Sequence, residues 1–360
     1  MPKLAYYITA HGYGHGVRSC DIIRALRAAR PDLEVVVVSD LPPAFLRSRL
    51  PADGVHLRAA SFDLGMVQRD SIRVDVSETL RRLRACFADR PARVAAEAEW
   101  LAAQGISRVA ADIPSMPLEA AARAGLPAIA VGNFAWDWIY DEFADRDPGW
   151  CAVADAVRAG YAQADLLVRL PFAEEMTAFP RRVDVPLVSQ PGTPRRADLA
   201  RRYGCDPGLT WVLLSFTTLD WDDEALRRVA ALDDCLFFTV KSLAWAGPRF
   251  VAVEREDFAF GDVLASCDLV VTKPGYGILS ECVVNDKPIV YAERTDFREY
   301  PVLERALQRH LRHVHLPAEQ LYRGDLAAAV AAARSAPPAR EPLAADGGVA
   351  AAAWVAGDRV

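Results

Sequence analysis

Two histidines frame a glycine-rich run near the start of the chain, Thr9-Ala-His11-Gly12-Tyr-Gly14-His15-Gly16-Val-Arg18. The run follows the first apolar stretch and leads into a segment of helical period. A histidine at a helix opening faces free backbone N–H groups and a partial positive charge, which favours the neutral imidazole. A neutral imidazole is what a general base requires near neutral pH. The glycines let a ligand approach the backbone closely. A plain strand-to-helix turn with incidental histidines is the blander reading, and the G-x-G-x-x-G spacing of a dinucleotide site is missing. Two of only six histidines in one loop favour chemistry.

A second run, Cys267-Asp-Leu-Val-Val-Thr-Lys273-Pro-Gly275-Tyr276-Gly277-Ile-Leu-Ser280-Glu281, reads as strand, glycine loop and helix. Such a unit can hold a diphosphate on the N–H groups of the helix start. Gly275 and Gly277 keep side chains away from phosphates, and Tyr276 lies between them. Ser280 and Glu281 are expected in the first helical turn. There Glu281 can accept from two ribose hydroxyls, or merely favour the helix dipole. Lys273 is either a phosphate partner or a solvated charge at a strand end. The loop Glu293-Arg-Thr-Asp296-Phe-Arg298-Glu299 sets carboxylates beside arginine, which suits sugar hydroxyls. It also reads as a helix start capped by Asp296, with Glu299 completing a capping box. Ser215 and Thr217 offer hydroxyls and amides to a distal phosphate, and Lys241 offers charge.

Asp112, and the group Asn133, Trp136 and Asp137, fall at the carboxyl ends of two expected strands. Asp112 can orient His15 or His11 as a carboxylate does in a triad-like arrangement. Asn133, Trp136 and Asp137, together with His11, read as a surface for an acceptor sugar. Core packing is the alternative for Trp136 and Trp138. No metal site emerges: His310, His313 and His315 straddle a helix end and a short strand.

The elements that must position these residues alternate along the chain. Strands are expected at Leu4–Thr9, Glu34–Ser39, Val55–Ala59, Val109–Asp112 and Ala128–Gly132, then at Leu166 to Val168. Helices are expected near 16–30, 42–50, 75–103, 115–125, 136–145 and 150–163. A second set has strands at Trp211–Phe216, Leu236–Val240, Phe250–Val253, Leu269–Thr272 and Ile289–Tyr291. Its helices are expected near 195–203, 222–232, 260–266, 276–285 and 299–309. Nearly continuous apolar runs such as Val35 to Val38 indicate parallel strands buried on both faces. The alternation indicates doubly wound α/β halves. The proline-rich stretch Val185 to Pro194 marks the boundary. The domains are therefore 1–187 and 188–345, and a final helix at 346–360 is expected to pack back on the first domain. In such sheets ligands bind outside the carboxyl ends of the strands.

The chain has 360 residues, 52% of them apolar, and a net charge of -6. That balance argues against a nucleic-acid binder, which carries a basic face. Seven cysteines with no C-x-x-C fit free thiols in a reducing cytoplasm better than a disulfide framework. No apolar run reaches the ~20 residues that span a bilayer. A cytoplasmic protein without a transmembrane segment is expected, with peripheral membrane contact left open.

On these residues the chain resembles glycosyltransferases of the GT-B fold, which have two Rossmann-like doubly wound domains facing across a cleft. It is similar to the group of the peptidoglycan N-acetylglucosaminyltransferase and the diacylglycerol glucosyltransferases. It is more similar still to the glycosyltransferase-like N-terminal region of plant L-arabinokinase. The shared features are H-G-[FY]-G-H (His11 to His15), N-F-x-W-D (Asn133 to Asp137), V-P-L-V (Val185 to Val188) and K-x-G-Y-G-x-x-S-E (Lys273 to Glu281).

The resemblance implies His15 as the catalytic base aided by Asp112, Glu281 on the ribose, and Asp296 to Glu299 on the donor sugar. It implies an inverting, metal-independent transferase with no cofactor, taking a UDP-type nucleotide-sugar donor. The acceptor would be a small molecule, glycan or lipid-linked hydroxyl. The family often has glycines where this chain has Thr217-Thr218, and there is no room here for the plant enzyme's kinase domain. A sugar-nucleotide epimerase of the same fold and a non-catalytic sugar-nucleotide-binding protein are the alternatives.

Overall fold

The computed structural model describes residues 2–358 apart from 240–242, 244 and 246. The chain divides into two compact units. One comprises Met1–Val67, Asp75–Ser189 and Ala344–Val360; the other comprises Gln68–Val74 and Gln190–Leu343.

The first unit holds β1 (Lys3–Ile8), β2 (Glu34–Val38), β3 (Val55–Arg58), β4 (Arg108–Asp112), β5 (Ala128–Gly132), β6 (Leu166–Arg169) and β7 (Arg182–Asp184). They form one parallel sheet in the order β3-β2-β1-β4-β5-β6-β7. The order reverses between β1 and β4, the switch point at which such sheets bind ligands. Register sets the site: Ile8 pairs with Asp112, so the two strands end level and the Thr9–His15 run starts beside Asp112. A backbone bond from Thr9 N to Asp112 O, 2.8 Å, extends the pairing. Val35, Val36, Val37 and Val38 are all buried, as β-branched residues on a two-sided strand should be.

Helix Tyr13–Ala29 buries Ile22, Ile23 and Leu26 in the core with Leu4, Tyr6 and Val35. Ala351, Ala352 and Val355 of the last helix, Gly347–Ala356, enter the same core. The tail reaches it through an antiparallel bridge between Val188 and Asp346. Each fully buried valine or leucine there contributes about 1.5–3 kcal/mol.

The second unit repeats the plan with β8 (Thr210–Ser215), β9 (Cys235–Thr239), β10 (Phe250–Ala252), β11 (Leu269–Thr272), β12 (Ile289–Tyr291) and β13 (His313–His315). Their order is β10-β9-β8-β11-β12-β13, again all parallel. The switch point lies between β8 and β11. Thr272 pairs with both Ser215 and Tyr291, so three strands end level. The loops carrying Thr217, Lys273 and Glu293 therefore leave the sheet side by side.

Besides the division into units, two expectations are corrected. The division falls after Ser189, and Gln68–Val74 belongs with the second unit, where Ile72 is buried in the core with Val212, Leu214 and Val271. The stretch 75–103 is two helices, Val76–Ala88 and Arg90–Ala103. Pro91 lacks an N–H and would clash with the carbonyl four residues back, so it opens a new helix instead of continuing the old one. Helix Tyr300–His310 starts after Glu299, with proline in its first turn and no side-chain cap. Asp296 has a left-handed backbone, φ 57°, so the capping box does not form.

Candidate active site

The first unit gathers a buried polar cluster at the ends of β1 and β4. Asp112 is fully buried and receives His15 Nδ1 at 2.9 Å, Arg18 Nε at 2.7 Å, Arg18 Nη2 at 2.5 Å and Ser19 Oγ at 2.8 Å. His15 opens helix Tyr13–Ala29, and Arg18 follows one turn on, so both face β4. Arg18 Nη2 is also 2.9 Å from His15 Nδ1. The charged carboxylate is the stronger partner for Nδ1–H, which leaves Nε2 as the nitrogen with the free lone pair.

Burial raises the Asp112 carboxyl, but the Arg18 charge and the hydrogen bonds from Arg18 and His15 outweigh it and hold it well below the usual range. Burial and then the Arg18 charge lower the His15 pKa, against the pull of Asp112. The helix start was the expected cause; burial and Arg18 are the principal ones. A base that must be neutral works until pH falls through its lowered pKa. The acid limb of kcat/KM is therefore expected below pH 6.5, and a pH–rate profile with its limb at or above 6.5 would contradict this.

Around the dyad stands an aromatic and acidic wall. His11 packs edge-on to Trp136 with centroids 5.1 Å apart, and His15 packs edge-on to Phe134 at 5.5 Å. Asp63 accepts from Thr9 Oγ1 at 2.9 Å and from Trp136 Nε1 at 3.0 Å. Burial lifts it to about 6 despite both donors. Gly65 has φ +50°, and a Cβ there would lie 2.2 Å from His11 Nδ1, so only glycine leaves His11 in place.

Of the expected acceptor residues, His11 lies in this wall. Asn133 is spent on Arg18 Nη1 (2.6 Å) and on Pro171 O (3.3 Å). Trp136, 2% exposed, stacks on Tyr140, so it braces His11 and Asp63 and offers no open face. Asp137 is buried and pairs with Arg158 Nε at 3.3 Å. Arg18, Ser19 and Asp63 were missed. Arg18 had a signal, its i,i+3 spacing from His15; Asp63 had none.

The second unit brings its expected residues to the ends of β8, β11 and β12. Gly275 is the N-cap of helix Tyr276–Val284, with no side-chain cap and no acidic residue in the first turn. Ser280 and Glu281 thus lie in the second turn, not the first, and Gly277 is helical. Ser280 Oγ bonds back to Tyr276 O at 2.8 Å, and Glu281 is buried. Gly275 makes room for Lys273, whose Nζ would stand 3.3 Å from a Cβ there. Burial, then the neighbouring Arg294 charge, bring Lys273 down to about 7.

Ser215 ends β8 and accepts through its carbonyl from Thr272 Oγ1 at 2.9 Å. Thr217 is engaged: its amide and that of Thr218 donate to Ser71 Oγ at 3.2 and 3.1 Å. Asp296 is exposed, while Arg298 and Glu299 are half-buried. Lys241 lies outside the described residues.

Solved structures share this architecture. The glycotransferase of kitacinnamycin aligns over 99% of this chain and 94% of its own, with TM-score 0.64 at 16% identity. A UDP-glucosyltransferase from Polygonum tinctorium capable of glucosylating indoxyl aligns over 99% and 92%, with TM-score 0.61 at 12% identity.

The chain has the GT-B fold.

The spinosyn rhamnosyltransferase SpnG, complexed with thymidine diphosphate, shares it over 99% and 95%, with TM-score 0.54 at 15% identity. In sequence, L-arabinokinase of Arabidopsis thaliana is 29% identical over 314 residues, 84% of this chain. The chain spans 29% of the length of that protein. No protein-family model matches. No described helix of this GT-B chain is long and apolar enough to cross a membrane.

Proposed function

We propose that the chain transfers a sugar from a nucleoside-diphosphate donor, UDP-type, to a hydroxyl acceptor. The buried His15–Asp112 dyad at the switch point of the first sheet carries the reading. Nε2 of neutral His15 takes the acceptor's hydroxyl proton as that oxygen attacks the anomeric carbon. The bond from that carbon to the diphosphate breaks, and the diphosphate leaves with the electron pair. A single displacement of this kind inverts the anomeric centre. Asp112 fixes the tautomer and stabilises the imidazolium that forms. The second unit holds the donor, with Glu281 on the ribose and the uncapped start of helix Tyr276–Val284 at the phosphates. The leaving charge is met there by protein groups, in a metal-independent reaction.

Thermal shifts against a panel of nucleotide sugars test donor recognition. A ligand at 100 times its Kd that binds only the folded chain adds about 2.7 kcal/mol of stability. A rise in Tm with a subset of the panel is expected; no shift with any member would sink the reading. Glu281→Ala should weaken UDP binding about 10-fold or more, the worth of a charged hydrogen bond. Calorimetry showing unchanged affinity would remove Glu281 from the ribose.

A further inference from the structure

Arg294 is a buried charge short of partners. Its side chain is 5% exposed, and its best ion-pair contact, Nη1 to Glu299 Oε1, is long at 4.0 Å. Nε and Nη2 have no hydrogen-bond partner among the described residues. The guanidinium lies over the Phe297 ring, 3.0 Å from its centroid, which supplies no acceptor oxygen. Asp70 is near enough for its charge to act on Arg294. Its oxygens, however, are engaged by the amides of Ile72 and Arg73 (both 2.8 Å), by Arg73 Nε (2.7 Å) and by the Tyr322 hydroxyl (3.0 Å). A buried guanidinium held this way is costly unless something else completes it.

Its surroundings specify what that is. Thr272 at the end of β11 pairs with Tyr291 at the end of β12, so Lys273 and Arg294 follow adjacent strand ends, and the Arg294 charge is felt at Lys273. Lys273 stands beside Gly275, where the nine-residue helix Tyr276–Val284 begins without a capping side chain or a first-turn carboxylate. Two lysine and arginine charges, two bare guanidinium nitrogens and an open helix start together form a site for a multiply charged anion. The amides of Thr217 and Thr218, an alternative cradle after β8, already serve Ser71.

We propose that Arg294, with Lys273, is the anion-recognition pair of the second unit and binds the diphosphate of the nucleotide donor in place of the amides after β8. This deepens the reading given under Proposed function and rests on it. Arg294 completes its hydrogen bonds only when the diphosphate is present. It therefore adds affinity for the phosphates and none for the nucleoside.

Calorimetry on the full chain with UDP, uridine and inorganic pyrophosphate tests this. The wild type should bind UDP more tightly than uridine and should bind pyrophosphate measurably. Arg294→Gln should lose about 10- to 100-fold in UDP affinity and keep its uridine affinity. Arg294→Lys, which keeps the charge but not the fork, should recover part of the loss. Without ligand, Arg294→Gln should melt no lower than wild type, since it removes an uncompensated charge. If wild type binds UDP and Arg294→Gln binds it equally well, the proposal falls while the donor reading stands. If wild type binds no nucleoside diphosphate in a panel of UDP, dTDP, GDP and ADP, the donor reading falls and takes the proposal with it. If Arg294→Gln loses ligand-free stability together with UDP affinity, Arg294 is structural and the proposal is overturned.

Discussion

His15→Ala should lower kcat/KM for transfer by about 10²- to 10⁴-fold, the usual contribution of a positioned general base. UDP binding should survive, because the residues proposed to hold the donor lie in the second unit and His15 in the first. The size of the loss follows from how the imidazole is prepared. Burial and Arg18 favour the neutral ring, and Asp112 holds Nδ1 at 2.9 Å, so Nε2 keeps its lone pair for the proposed proton transfer. Alanine removes the proton acceptor and leaves the Arg18–Asp112 pair intact. Stability should therefore change little beyond the lost packing on Phe134. Steady-state rates with UDP titrations on the same samples separate the effects. Normal turnover by the variant would eliminate His15 as the base.

Asp112→Asn should be the more damaging change. The carboxylate is fully buried and accepts from four donor atoms, two of them on Arg18. Asparagine has nearly the same shape, but its NH₂ group faces donors, and Arg18 loses its counter-charge. Breaking a buried pair from one side costs about 3–5 kcal/mol. Activity should fall by about 10⁴-fold, because an amide oxygen no longer fixes the Nδ1–H tautomer against Arg18. The double variant Arg18→Met/Asp112→Asn should recover part of the stability, since no charge is then left buried, but none of the activity. Denaturant unfolding and initial rates on the three proteins provide the check. A single variant as stable as wild type would mean that Arg18 finds another partner and that the cluster is not the closed network described.

The architecture was legible because its signals are local. Apolar β-branched runs such as Val35 to Val38, alternating with helical stretches, indicate parallel α/β units, and both sheets follow. The His15–Asp112 pairing was legible for a related reason: in a parallel sheet the residues after two adjacent strand ends must be neighbours. Position within a turn was harder. Ser280 and Glu281 are the fifth and sixth residues of helix Tyr276–Val284, so they fall in its second turn even though the helix starts at 276 as expected.

What could not be read was burial beyond the strands, and docking at a distance. Trp136, Asp137 and Asn133 looked like a sugar-facing surface, yet all three are buried and brace the site. Core packing was the alternative for Trp136, and nothing in the sequence decides which face of a tryptophan at a helix start meets water. Ser71 and Ile72 gave no sign that a seven-residue segment of the first half would join the second unit. Arg294 lay in plain view within the polar loop, but its importance lies in lacking partners, which only the folded chain reveals.

The central claim is transfer itself. The most direct test incubates the chain with the nucleotide sugars that raise its Tm, with and without a panel of hydroxyl acceptors, and follows both products by mass spectrometry. The account predicts one glycosyl mass added to an acceptor for each nucleoside diphosphate released, and no turnover without an acceptor. An isomeric nucleotide sugar, or free nucleoside diphosphate formed without an acceptor, would contradict it in favour of an epimerase. Tight donor binding with no product on any acceptor would contradict it in favour of a binding protein.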